Sequence, residues 1–148
     1  MSKPVVLQVK PYPDWDQVPL DAAFDTRKYF DADDKSAFLR EHGPEVRAIA
    51  TRGEAGASAE MIEACPNLEV ISVYGVGYDA VNLAAAERQG VRVTNTPDVL
   101  TGEVADLGVA MMLCLSRDMV GAEAWVRDGS WASKGLYPLQ RRVFGRRA

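Results

Sequence analysis

The chain has 148 residues, 47% of them apolar and 26% charged, a balance that suits a soluble globular protein rather than a disordered or membrane one. The net charge of −4, from 17 Lys and Arg against 21 Asp and Glu, gives no general attraction to nucleic acid or anionic lipid. One domain of this length can bury a sizeable core.

Four arginines, Arg141, Arg142, Arg146 and Arg147, crowd the C-terminus. They read as a solvated tail, because no basic or aromatic stripe elsewhere continues them into a nucleic-acid surface. Cys65 and Cys114 lie far apart without metal-type or redox spacing, so both are expected as reduced thiols of a cytoplasmic protein, with no metal bound. The N-terminal apolar run is too short for a signal peptide, and no window approaches the ~20 apolar residues of a membrane span.

Short β-branched runs alternate with helical patterns along the chain. Val5 to Val9 reads as a buried strand, Asp16 to Ala23 as a short helix, and Phe24 to Phe30 as a more polar strand. Asp34 to Glu41 looks helical and stops at Gly43-Pro44, leaving His42 at a helix end, the ordinary place for a lone histidine. Arg47 to Ala50 is the third strand. Ser58 caps a helix from Ala59 to Ala64, and Leu68 to Tyr74 is the fourth and most apolar strand. A glycine loop follows, then a helix from Ala80 to Gln89 closed by Gly90, then a fifth strand from Val91 to Asn95. Repeated β-α order predicts a parallel five-stranded sheet with helices on both faces.

From Gly102 to Asp128 apolar residues recur nearly all round one long helix, which requires cover from a partner chain or a second domain. Residues 129–148 carry Gly, Ser and Pro punctuation with no period, and read as a linker. The domain boundaries are thus 1–101, 102–128 and 129–148.

The loop Gly75-Val76-Gly77-Tyr78-Asp79-Ala80 has the form Gly-x-Gly-x-x-Ala. It follows a strand and precedes a helix, as a dinucleotide fingerprint must, but the strand that follows ends in Asn95 and Thr96, where an acid should hold the ribose. The loop also sits on the fourth strand, whereas the fingerprint sits on the first strand of its domain. Two readings remain from spacing alone. The glycines either make only a tight turn, or turn consecutive N–H groups toward a small anion such as a carboxylate, with a helix N-terminus just behind. The Thr51-Arg52-Gly53 loop falls at the same edge of the sheet, so Arg52 can line that site, although an exposed arginine is more often merely solvated. A phosphoacceptor module is disfavoured by Lys10-Pro11 and Thr51-Arg52, where acids would be needed. Flavin binding is disfavoured by Lys10-Pro11-Tyr12-Pro13-Asp14, which lacks small hydroxyl residues.

The blocks Gly75-Val76-Gly77-Tyr78-Asp79 and Val93-Thr94-Asn95-Thr96-Pro97-Asp98-Val99-Leu100-Thr101, at this separation, resemble the N-terminal substrate-binding domain of the D-isomer-specific 2-hydroxyacid dehydrogenases. The likeness is strongest to the glyoxylate and hydroxypyruvate reductase branch and over Leu68 to Leu115. It implies a flavodoxin-like fold, with the backbone of Val76 and Gly77, beside Gly75, binding the carboxylate of a 2-oxo acid. It further implies that Thr101 approaches an NAD or NADP cofactor, while the residue pattern makes the same threonine an N-cap; one residue can serve both ends. By the same resemblance the long helix crosses to a Rossmann domain and joins a homodimer. The catalytic arginine, acid and histidine, with most of the cofactor site, would then lie past residue 148, and the chain alone is expected to be inactive. A non-catalytic flavodoxin-like module that only dimerises or binds a small carboxylate is the alternative.

Overall fold

The β-branched runs and their glycine stops build five strands, β1 (Val5–Gln8), β2 (Asp25–Lys28), β3 (Val46–Arg52), β4 (Val70–Tyr74) and β5 (Arg92–Thr94), in the computed structural model, which describes residues 2–145. All pair in parallel, in the order β2-β1-β3-β4-β5. This is the flavodoxin-like order, which reverses direction next to β1 and opens a crevice at the carboxyl ends of the strands. The chain divides into two compact units, 1–99 and 100–148.

In the first unit the helices are α1 (Asp14–Ala23), α2 (Lys35–His42), α3 (Ala59–Glu63) and α4 (Leu83–Gln89). In register, Leu7, Ile49, Ile71 and Val93 form one row across the sheet. Together with Val73 they pack against Leu39 of α2, Met61 and Ile62 of α3, and Ala85 and Ala86 of α4. The other face carries Gln8, Ala50, Ser72 and Thr94, and there Gln17 of α1 meets Gln8. Side-chain caps act where the sequence places polar residues: Asp34 accepts from Ala37 N at 2.9 Å and Ser58 from Met61 N at 3.2 Å.

Several boundaries move for identifiable reasons. The helix read from Asp16 begins at Asp14, so two acids stand in its first turn, where the helix dipole favours them. The second strand stops at Lys28 because Tyr29–Asp31 winds into a 3-10 turn. Lys35 Nζ ties that turn down by donating to the carbonyls of Tyr29 (2.5 Å), Phe30 (3.1 Å) and Ala32 (2.7 Å). The helix read from Ala80 begins only at Leu83, since the Asn82 side chain accepts from Ala85 N at 2.9 Å and fixes the cap there.

The second unit corrects the single helix read over 102–128. It forms α5 (Thr101–Arg117) and α6 (Met119–Arg127), separated by Asp118 in the left-handed region at φ 47°. The Asp118 carboxylate accepts from Gly121 N at 3.3 Å, which starts α6, and from the hydroxyl of Tyr137. The segment read as unstructured contains a further short helix, α7 (Ser130–Lys134). Trp125 Nε1 donates to the Gly135 carbonyl at 2.9 Å and its ring meets Tyr137 edge-on at 5.7 Å. Arg146 and Arg147 of the expected tail lie outside the described residues. No helix among the described residues is long and apolar enough to cross a membrane.

Candidate functional site

Two loops at the carboxyl edge of the sheet lock together and define the site. Arg52 and Tyr74 are register partners, so the turns after β3 and β4 begin side by side. Ala55 N and Gly56 N both donate to the Arg52 carbonyl, at 3.0 and 2.9 Å, and the buried Thr51 hydroxyl donates to the Gly56 carbonyl at 2.6 Å. The first turn is therefore rigid. A Cβ on Gly53 would stand 2.7 Å from the Gly77 carbonyl oxygen, and Gly56, at φ 60°, presses on the Ala80 carbonyl. A short bridge between Ala57 and Val81, with Asn82 N donating to the Ala57 carbonyl at 2.9 Å, closes the contact. Glycine at 53 and 56 lets the two backbones meet this closely.

The glycine loop itself is open. Gly75, at φ 145°, turns the chain out of β4, and Val76 and Gly77 are exposed. Their amide N–H groups donate to no partner among the described residues. Two carbonyls of the loop are engaged: Gly75 O accepts from Thr96 N at 3.0 Å, and Val76 O accepts from Asn95 Nδ2 at 2.8 Å. Because α4 starts at Leu83, its N-terminus does not stand directly behind the glycines, as the sequence suggested. The donors available to an anion are the loop amides themselves, a backbone nest.

Beside the loop stands an aromatic wall that sequence reasoning missed. Gln8 and Gln17 exchange reciprocal amide hydrogen bonds of 2.7 and 3.0 Å; Gln8 also donates to the Lys10 carbonyl at 3.0 Å, and Tyr12 N donates to Gln17 Oε1 at 3.2 Å. These bonds fix the β1-α1 loop and set the Tyr12 ring onto Tyr74, with stacked centroids 4.8 Å apart. Tyr12 donates its hydroxyl to the Thr51 carbonyl (3.1 Å), and Tyr74 donates to Asp16 Oδ2 (2.8 Å).

Burial, then the neighbouring Tyr74, pushes the Tyr12 phenol up to about 12 against the pull of the Arg52 guanidinium. The hydrogen bond to Asp16 raises that of Tyr74. Both phenols are therefore protonated donors at neutral pH. Arg52 pairs with Glu54 at 3.1 Å and is half-exposed, so part of its charge is already answered. On the β5 side of the loop, Tyr78, Leu83, Val93, Thr94 and Asn95 line a cleft of about 260 Å³.

The remaining candidates fall elsewhere. Thr101 is the first residue of α5, in the second unit, and the N-cap is Leu100 without a side-chain hydrogen bond, so the capping role read for Thr101 is corrected. His42 is the last residue of α2, edge-on to Phe38 at 4.4 Å. Among the described residues no group of His, Cys, Asp and Glu could hold a metal ion.

In a parallel doubly wound domain the ligand crevice lies outside the carboxyl ends of the strands, the edge from which the turns after β3 and β4 both leave. The family described as D-isomer specific 2-hydroxyacid dehydrogenase, catalytic domain, matches residues 7–136. The chain belongs to that family. It is 36% identical over 141 residues to glyoxylate/hydroxypyruvate reductase A of Arabidopsis thaliana, covering 95% of this chain and 45% of that protein. It is 39% identical over 140 residues to 2-ketogluconate reductase of Gluconobacter oxydans, covering 95% of this chain and 44% of that protein. Among solved structures, a 2-hydroxyacid dehydrogenase from Ketogulonicigenium vulgare Y25 superposes with a TM-score of 0.90 at 68% identity, over 99% of this chain and 46% of that one. An NADPH-dependent glyoxylate/hydroxypyruvate reductase from Sinorhizobium meliloti, in complex with citrate, superposes at 0.85 with 35% identity, over 99% and 45%. The chain thus spans less than half the length of these relatives.

Proposed function

We propose that this chain is the substrate-binding portion of an NAD(P)-dependent dehydrogenase that reduces small 2-oxo acids such as glyoxylate or hydroxypyruvate. The observation that carries the reading is the pair of exposed amides at Val76 and Gly77, without a partner among the described residues, at the carboxyl edge of a parallel sheet; the relatives are named as reductases of such acids. Two N–H donors side by side suit the two oxygens of a carboxylate. Gly75 supplies the turn, and Arg52 adds positive potential at the rim. The stacked Tyr12 and Tyr74 wall one side and, being protonated, neither take up nor release a proton near neutral pH.

The described residues do not fit a dinucleotide. The loop follows β4, the first helical residue is Leu83, and the strand-end residue that should be an acid is Asn95, whose amide already serves Val76 O. NAD or NADP is then held chiefly by residues outside this chain, with Thr101 the one position here assigned to its neighbourhood. The chain's own contribution is to bind and orient the acid, and the proton and hydride steps belong to groups outside it.

The exposed apolar side chains of Val104, Leu107, Met111 and Leu115 on α5 favour a homodimer formed through that helix. The thiols of Cys65 and Cys114, both free, suit the reducing cytoplasm. The test is to express the complete reading frame that carries this chain and follow NADH and NADPH oxidation with glyoxylate and hydroxypyruvate, alongside residues 1–148 alone. The complete protein should turn over at least one of these acids and the 148-residue chain neither. A complete protein that binds NAD(P)H but reduces no 2-oxo acid overturns the reading, and light scattering of the same samples decides the dimer.

A further inference from the structure

We infer that Asn95 is a positioning residue for substrate carboxylate binding: its side-chain amide holds the peptide that presents the Gly77 N–H. The inference rests on the carboxylate reading of the glycine loop and goes beyond it in naming what aims the donors.

In a trans peptide the C=O and the N–H of one planar unit point in opposite directions, and the chain has no cis bond among the described residues. Gly75 O is held by Thr96 N at 3.0 Å, so the Val76 N–H of the same peptide points away from the 95–96 segment. Val76 O is held by Asn95 Nδ2 at 2.8 Å, so the Gly77 N–H points away from it too. In an extended chain consecutive N–H groups alternate sides. Here one short segment after β5 grips two successive carbonyls, and both amides are turned to one side, the geometry of an anion nest.

The two grips differ in kind. The Thr96 bond is backbone to backbone and comes with any residue at that place except proline. The Asn95 bond depends on the side chain, and among short side chains an amide is what extends a donor to a carbonyl one loop away. Asn95 has no second hydrogen bond among the described residues that would give it a structural duty elsewhere. It occupies the strand-end position at which a dinucleotide fingerprint carries an acid, and a carboxylate there would face Val76 O with like partial charge and turn the peptide over.

The test uses the protein from the complete reading frame, with Asn95→Ala and Asn95→Asp, measuring KM for the 2-oxo acid, KM for the nucleotide cofactor, kcat, the inhibition constant of oxalate and the thermal midpoint. Losing an interaction made equally in ground and transition states raises KM without lowering kcat. Both variants should therefore raise the 2-oxo acid KM and the oxalate constant together, about tenfold or more, with kcat and the cofactor KM within about twofold and the thermal midpoint retained. Wild-type-like oxalate inhibition in both folded variants overturns the role of Asn95 while leaving the carboxylate site standing. If the wild-type protein itself is neither inhibited by oxalate nor active on 2-oxo acids, the carboxylate reading fails, and this inference with it. Should Asn95→Ala not fold, Asn95→Asp, nearly the same size, decides alone.

Discussion

Adding one methyl group on either side of the contact between the two loops should have opposite effects. Alanine at Gly53 would place its Cβ 2.7 Å from the Gly77 carbonyl oxygen, against a comfortable approach of roughly 3.3 Å. The two backbones must then separate by about 0.6 Å, and neither can rotate away, because the Arg52 turn is held by three hydrogen bonds. Overpacking of this sort costs about 1–3 kcal/mol, offset by roughly 0.4–1 kcal/mol from the less flexible unfolded chain. A net loss of about 1–2 kcal/mol follows. Alanine at Gly77 would meet nothing closer than Asp79 Oδ2 at 3.9 Å and keeps only the unfolded-chain gain. Urea unfolding of the two variants should therefore put the Gly53→Ala midpoint below that of Gly77→Ala by about 1 M, with unchanged slopes. Equal midpoints, or Gly53→Ala the more stable, would show that the loops are not pressed together and would remove the rigid backing argued for the anion nest.

Two further measurements probe the scaffold. Lys35→Met strips the donor from three carbonyls at once, and should lower stability by about 2 kcal/mol in the same assay; a loss below ~0.5 kcal/mol would mean that water serves those carbonyls equally well. Tyr12 gives an alkaline signature. Its phenol ionises near 10 when unfolded and at about 12 when folded, so between these values the unfolded chain has lost a proton that the folded chain keeps. Stability must then fall as pH rises through this window, by up to about 1.4 kcal/mol per pH unit, and be unaffected by this group below pH ~9. Tyr12→Phe should flatten that slope, and identical slopes in the two proteins would contradict the burial assigned to Tyr12.

The strands and their parallel pairing were legible from β-branched runs in β-α alternation, whereas the flavodoxin-like order was implied by the family resemblance alone. Helix starts were legible where Asp34 and Ser58 cap through their side chains. The break at Asp118 was not, since the run Leu115-Ser116-Arg117-Asp118-Met119 has neither proline nor glycine, and a left-handed aspartate is chosen by contacts with Gly121 and the distant Tyr137. For the same reason Tyr12 escaped notice: its partner Tyr74 ends a strand much later in the chain, a pairing that spacing cannot show, and the Gln8-Gln17 pair that fixes it looks like ordinary polar sequence. Asn95 was in plain view and read only as the missing acid. Its positive meaning depends on the direction of a peptide plane nineteen residues earlier, which spacing does not encode.

Asp118 also makes a lever. One residue joins seventeen-residue α5 to nine-residue α6, so two dihedral angles set the angle between them. At 1.5 Å per residue, a 10° change there swings the far end of α6 by about 2 Å. The Asp118 carboxylate is committed to the first turn of α6 on one oxygen and to Tyr137 on the other. The bearing of α6 is therefore fastened by a residue beyond α7 that also packs edge-on against Trp125 of α6, and a mutation at Tyr137 would loosen both holds at once.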